Sequence, residues 1–318
     1  RIGEHTQEII DEISRVPEKC RLTETKKTTL PLEGVKVLDF MWALAGPGAT
    51  RTLAEMGATV IRVESSSRLD VIRTIRPFID SDESPEKSAL FHNTNAGKNL
   101  LSLDLTKPEG KAVALDLVRW CDVVTESFSP KAMKAFGLDY ESLLEVNSDL
   151  IMLSTCLFGQ TGPLSMFAGY GNLAAAIAGF YTITGWPDRE PAGPFGAYTD
   201  YIAPRYNAAA ILAALDHRDR AGEGQHIDLA QAESAMHFLT PAILDYMAND
   251  KVQSRIGNSD PNCAPHGVYP VSGDDAYIAI ACETDEQWRA FNELLSIPDA
   301  SAELYNSMRA RIKNRDSL

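Results

Sequence analysis

Asp200 is a residue whose type and setting suit covalent chemistry. It stands in GAYTDYIAPRYNAAAILAAL, where a glycine-rich segment gives way to an alanine-rich helical pattern. The pattern predicts a helix beginning at Tyr201, with Asp200 as its N-cap and Pro204 in the first turn. The first four helix N–H groups have no intrahelical partner, so a proline there costs little. Two readings of Asp200 are open. Its carboxylate could cap the helix and do no more. It could also be a nucleophile, because a carboxylate at the positive end of a helix stays ionised and oriented, and an oriented carboxylate can attack an acyl carbon. The two roles are compatible.

Ala45-Gly46-Pro47 follows the strand-like run VKVLDF. A glycine there lets a ligand approach the backbone, and the next helix can turn its first N–H groups toward a phosphate or carbonyl. The same three residues also suit a tight strand-to-helix turn. Tyr170, 30 residues ahead of Asp200, could donate a hydrogen bond to a substrate or pack in the core. Arg62, Arg68, Arg73, Arg76 and Lys98 follow strand ends or lie in loops, where they could meet phosphates or stay solvated. His217 and His226 flank the GEGQ turn and read as structural, while His266, in a loop, is the better site candidate. The sequence carries no HExxH, P-loop, GxSxG or GxGxxG motif, which argues against metalloprotease, P-loop, α/β-hydrolase and dinucleotide chemistry. Five cysteines without CxxC spacing argue against a disulfide framework or a zinc site, and make a reducing cytoplasm the expected setting.

The elements that must position these residues read as an α/β fold. Val35–Phe40 is a buried strand, a helix from AGPGA runs to Gly57, and Ala58–Glu64 is a second strand. This strand–helix–strand unit is the signature of a parallel sheet with a right-handed crossover. The pattern recurs with a helix at 108–121, a strand at 122–126, a helical stretch near 130–146 and a strand at 150–155. HIDLA is a further strand, followed by a helix over 231–248. The expectation is a Rossmann-like, doubly wound parallel sheet over 32–249. A smaller α+β domain follows over 250–318, with a hairpin turning on Gly-Asp and helices at 284–296 and 300–310. Residues 4–13 predict a short amphipathic helix, and 15–31 a linker. With a net charge of −14, binding to nucleic acid or an anionic membrane is disfavoured. No apolar run approaches the roughly 18–20 residues of a membrane span.

Several stretches, in this order, resemble the family III CoA-transferases (the CaiB/BaiF group): LEGVKVLDFMWALAGPGATRTLAEMGATVIRVE, the long segment from FHNTNAGKNL to CLFGQTGP, GFYTITG, and HRDRAGEGQHIDLAQAESA. The resemblance covers residues 32–318. It implies a large Rossmann-like domain with a small one, in two chains interlocked as a homodimer, acting on an acyl-CoA and a small carboxylic acid with no permanently bound cofactor and no metal. Asp200 matches the catalytic aspartate, which passes through a mixed anhydride and an aspartyl-CoA thioester. CoA contacts are expected from Trp42, Ala43, Leu103, Ser127, Phe128, Ala132, Ala135 and Phe136, and acyl contacts from Leu44, Ala45, Gly46, Tyr170 and Gly171. Two positions depart from the pattern: Leu44 stands where several members carry glutamine, and Gly171 where relatives often carry an acid. Racemases of the superfamily place a histidine at the Tyr170 position. A phenol is a poor base at neutral pH, so racemisation is the weaker reading; a non-catalytic CoA-binding module of a fusion is the other rival. RIGEHTQEIIDEI resembles the C-terminal tail of such a module, so residues 1–14 read as the end of a preceding one, with the small domain stopping short.

Overall fold

The computed structural model describes residues 30–295 and 304–318. Alternation of apolar side chains between two covered faces builds its main sheet. The strands are β1 (Lys36–Asp39), β2 (Thr59–Glu64), β3 (Asn99–Ser102), β4 (Val123–Glu126), β5 (Ile151–Cys156) and β6 (His226–Ala230). All neighbours run parallel, in the order β3-β2-β1-β4-β5-β6. Val37, Val60, Val123, Ile151 and Leu153 point to one face, where they meet Leu53 of α1 (Ala45–Glu55) and Ile211 and Leu215 of a long helix described below. Leu38, Val124 and Met152, one residue out of phase, point to the other face. There they bury Ala114 and Val118 of α2 (Pro108–Trp120) together with Leu143. The doubly wound expectation holds.

The strand limits contract by a residue or so, and some elements differ. Gly137, with φ 63°, divides the expected helical stretch 130–146 into α3 (Ala132–Phe136) and α4 (Tyr140–Leu144). The stretch 231–248 splits into α5 (Gln231–Met236), one 3-10 turn and α6 (Thr240–Asn249), whose second residue is Pro241. A short helix, α7 (Ala89–Asn95), and β3 were not anticipated.

Beyond residue 250 an antiparallel pair, β7 (His266–Pro270) and β8 (Tyr277–Ala281), is joined across 271–276 by a turn with Gly273-Asp274 at its centre, closed by the Val271 N–H donating to the Ala276 carbonyl at 3.0 Å. With α8 (Asp285–Leu295) and α9 (Met308–Lys313) it encloses its own core of Cys282, Trp288 and Tyr305. Arg311 is wholly buried there, donating to the Ala264 carbonyl at 2.8 Å and pairing with Asp285 at 2.9 Å. The expected helix at 300–310 begins outside the described residues; Leu304 and Tyr305 are helical, and α9 follows after a break at 306–307. The expected N-terminal helix, module tail and most of the linker also lie outside the described residues.

Candidate active site

In an open parallel sheet, ligands bind beyond the strand C-termini where the strand order reverses. Here β1 and β4 are adjacent while the chain leaves them in opposite directions, so the crevice opens beyond Asp39 and Glu126. Backbone hydrogen bonds fasten its two rims together: Phe40 N–H donates to the Thr125 carbonyl at 2.8 Å, and Trp42 N–H to Ser127 Oγ at 2.8 Å. Ala43 adopts a left-handed φ of 62°, a conformation that costs a non-glycine residue about 1–3 kcal/mol. Its N–H is held by the buried Asp70 carboxylate at 3.0 and 3.1 Å. Asp70 in turn is paired with Arg62, which has no solvent exposure. The turn before α1 is therefore braced from beneath by a buried ion pair.

Ion pairs engage four of the five basic residues that the sequence left open between phosphate contact and solvent. Arg62 also binds Glu64 at 3.2 Å. Arg73 lies between Glu64 at 2.9 Å and Glu86 at 3.3 Å. Lys98 is buried against Asp39 at 3.0 Å, and Arg76 pairs with Glu83 at the surface. Arg68 alone of the five reaches the crevice, with its guanidinium 5.4 Å from the centre of the Trp42 ring.

Asp200 is the third residue of the long helix α10 (Tyr198–Ala221), whose N-cap is Ala197 with no side-chain cap. It is thus not the cap that the sequence suggested. Pro204 falls at the seventh position, where its missing N–H leaves the Asp200 carbonyl without an i+4 partner. The Asp200 carboxylate accepts the Gly171 N–H and a hydrogen bond from Gln231 Nε2. Gln231 Nε2 also donates to Thr199 Oγ1 at 2.8 Å, and Thr199 Oγ1 donates to the Gly171 carbonyl at 2.9 Å. Gly171 opens α11 (Gly171–Ala178) and Gln231 opens α5. Three helix starts thus converge on one carboxylate. Burial pushes its pKa up more than the Gln231 and Gly171 hydrogen bonds pull it down, so the net shift is upward. This carboxylate is therefore more basic than an ordinary aspartate. Gly171 fits for a steric reason. A Cβ there would lie 2.8 Å from Asp200 Cγ and Oδ1.

Asp200 lines a cavity of about 260 Å³ with Trp42, Ala43, Leu44, Ala45, Gly46, Ser127, Phe128 and Tyr170. Trp42, Phe128 and Ser129 are shared with a neighbouring cavity of about 420 Å³ that is also lined by Leu103, Ala132, Phe136 and Arg68. The sequence-expected residues therefore gather in one bent trough. Ala135 is the exception: it is solvent-exposed and lines neither cavity. Gly171 supports Asp200 without being a lining residue. His266 lines a separate cavity under β7 that shares no residue with the trough, and its Nδ1 lies 2.7 Å from the Asn258 carbonyl. His226 reads as structural, stacked on Tyr140 and 3.0 Å from Ser154 Oγ.

The sequence did not reveal Gln231, Thr199 or Glu126. Gln231 had a usable signal, since it directly follows HIDLA at a strand's C-terminal end. Glu126, 2% exposed, ends β4 and accepts the Phe128 N–H at 2.7 Å, so it fixes the loop between the two cavities. Burial pushes its carboxyl up to about 7, against hydrogen bonds from Ser154 and Phe128 N–H and with help from the Asp228 charge. Among the described residues no cluster of histidine, cysteine and carboxylate side chains could hold a metal ion. No helix there is long and apolar enough to cross a membrane.

Comparison with known proteins gives a consistent picture. The sequence profile of CoA-transferase family III matches residues 32–318. The chain is 38% identical over 297 residues to a succinate–glutarate CoA-transferase of Agrobacterium fabrum, covering 92% of this chain and 74% of that one. It is 32% identical to an acetyl-CoA:oxalate CoA-transferase of Acetobacter aceti, covering 93% and 76%. The crystal structure of a CAIB/BAIF family protein from Brucella suis superposes with a TM-score of 0.80 at 37% identity, over 91% of this chain and 76% of that one.

Proposed function

The chain belongs to CoA-transferase family III, and from that premise we propose that it moves coenzyme A from an acyl-CoA to a small carboxylic acid with Asp200 as the covalent nucleophile. The observation that carries this reading is the Asp200 carboxylate itself. It is half-buried, more basic than usual, held by Gly171 N–H and Gln231, and set in the wall of the smaller cavity of the trough. The pantetheine arm would run along the wall formed by Trp42 and Phe128, whose rings meet edge to face at 6.1 Å and border both cavities, and bring the thioester to Asp200. The nucleotide would rest in the larger cavity beside Arg68.

One Asp200 oxygen attacks the thioester carbon, the C–S bond breaks, and CoA leaves as its thiolate. The thiolate then attacks the aspartyl carbon of the mixed anhydride, releasing the donor acid and leaving an aspartyl-CoA thioester. The acceptor carboxylate attacks that thioester, and the returning thiolate takes the acceptor's acyl group and restores the Asp200 carboxylate. Dividing one difficult exchange into acyl transfers lowers each barrier. Burial assists because a poorly solvated carboxylate is a stronger nucleophile. The N–H groups of Ala45 and Gly46, at the unsatisfied start of α1, are placed to receive the oxyanion. The acids in the relatives' names, succinate, glutarate and oxalate, all carry two carboxylates. The apolar side chains exposed on α6, among them Leu244, Tyr246 and Met247, support a homodimer.

Asp200→Ala tests the reading. Removing a half-buried group of raised pKa leaves the fold stable or slightly more so, while loss of the covalent route lowers turnover by roughly four orders of magnitude or more. A folded Asp200→Ala protein that retains substantial transfer would remove Asp200 from the mechanism.

A further inference from the structure

The trough does not end at Asp200. A third cavity, of about 430 Å³, touches the same carboxylate, and the residues it shares with the acyl cavity are Leu44 and Asp200. Three spaces therefore lie in sequence. The first meets the second at Trp42 and Phe128, and the second meets the third at Asp200. A thioester delivered from the first reaches Asp200 with its acyl chain directed toward the third.

The chemistry of the second and third cavities differs. No lysine or arginine lines the second, and its ionisable carboxylate is the nucleophile itself. A negatively charged acyl tail would find no cation there. The third is lined by Arg51 of α1 and Arg205 of α10, together with Thr52, Glu55, Asn93 and Thr94. These arginines are placed by the crossing of the two helices, where Gly48 leaves so little room that a Cβ would sit 3.1 Å from Pro204 Cγ. Arg51 lies nearly one turn beyond Gly48, and Arg205 directly follows Pro204.

Helical side chains lean toward the N-terminus. Arg205 does so, donating to the Tyr201 carbonyl. That brings its guanidinium back by about one turn, toward Asp200. Arg51 donates to Glu55 at 2.7 Å and to Asn93 Oδ1 at 3.1 Å. A guanidinium carries five N–H donors in a planar fork suited to carboxylates, so these bonds leave donors over on both residues. Glu55 neutralises part of the Arg51 charge, which makes Arg205 the less compensated cation of the two.

We propose that this third cavity is the subsite for the distal carboxylate of the acyl group, with Arg51 and Arg205 as its cationic partners, and that the acids exchanged are short dicarboxylates. The proposal rests on the CoA-transfer reading above and adds to it the class of acid and the residues that select it. A monocarboxylate of the same length offers these two guanidinium groups no anion, so the two acids differ by the whole of that charge-assisted contact.

The test compares matched acceptors, succinate with butyrate and glutarate with pentanoate, using acetyl-CoA and succinyl-CoA as donors. It reads the ratio of kcat/KM within each pair, from which a general loss of folded enzyme cancels. Wild-type protein is expected to favour the dicarboxylate by roughly 100-fold or more. Arg51→Met and Arg205→Met should each lower the ratio by about tenfold, and the double variant should bring it close to unity. A wild-type ratio near unity, or a ratio unchanged in the double variant, overturns the subsite while leaving CoA transfer intact. If wild-type protein transfers CoA to none of the acids from either donor, the underlying reading fails and the subsite fails with it.

Discussion

Gly171→Ala separates the placement of the carboxylate from the stability of the fold. Gly171 is the first residue of α11 and does not adopt a positive φ, so its backbone accepts alanine without strain. Alanine in a helix is even favoured over glycine, by about 0.5–1 kcal/mol in an interior position. The new methyl group, however, would stand 2.8 Å from Asp200 Cγ and Oδ1 and 3.0 Å from Oδ2, well inside ordinary contact. Either the carboxylate turns away or α11 shifts. In both cases the Gly171 N–H and Gln231 bonds to Asp200 lengthen. Overpacking of this kind costs about 1–3 kcal/mol, partly offset by the helix gain. A displacement of about 1 Å at a reacting group lowers the rate by roughly 100-fold. The expected outcome is a folded enzyme with kcat down about 100-fold and KM for the acyl-CoA nearly unchanged, because the Trp42–Phe128 wall is untouched. Chromatographic initial rates and urea denaturation would measure the two sides. Combining the change with Asp200→Ala supplies the control: with the carboxylate gone, Gly171→Ala should no longer destabilise. A Gly171→Ala enzyme within about threefold of wild-type turnover, a difference below 1 kcal/mol, would refute this account of the site.

Gln231→Leu removes a donor that lowers the Asp200 pKa; since turnover requires the ionised form, the acid limb of kcat should move to higher pH, and an unmoved limb would deny the contact its role. Glu126 has a folded pKa raised from the ordinary 4.5 to about 7, so the folded state binds the extra proton in that window and stability falls as pH rises through it. The full effect is about 3 kcal/mol, and Glu126→Gln should flatten the decline between pH 5 and 8 in urea titrations. Arg68→Met removes the cation that faces Trp42 in the larger cavity and should raise KM for acyl-CoA by about tenfold with little change in kcat; a KM within experimental error of wild type would place the nucleotide elsewhere.

Much of the sheet was readable because β1, β2, β4 and β5 are apolar runs buried on both faces. Strand β3 was not. Asn99–Ser102 is an edge strand whose residues are largely exposed, so neither a continuous apolar run nor a clean alternation marks it. The start of α10 was placed three residues late because Ala197 supplies no capping signal and Asp200 supplies an attractive one. The basic residues were left undecided for a different reason. The partner that buries Lys98 is Asp39, 59 residues away, a pairing visible only after β1 and β3 take their places. Ala132 and Phe136, four apart, share the face of α3 that lines the trough, whereas Ala135 turns to solvent. The resemblance pointed to positions that the fold gathers around one trough, but the contacts on Asp200 from Gln231 and Gly171 needed the convergence of three helix starts.

Trapping the covalent intermediate tests the central claim most directly. The enzyme would be mixed with succinyl-CoA, quenched, treated with hydroxylamine to convert an aspartyl-CoA thioester to the hydroxamate, and digested with trypsin for mass spectrometry. The account predicts the hydroxamate on the peptide between Arg189 and Arg205, at Asp200, and its absence from Asp200→Asn. A hydroxamate at another carboxylate, or an unmodified Asp200 peptide in enzyme that is turning over, would contradict it.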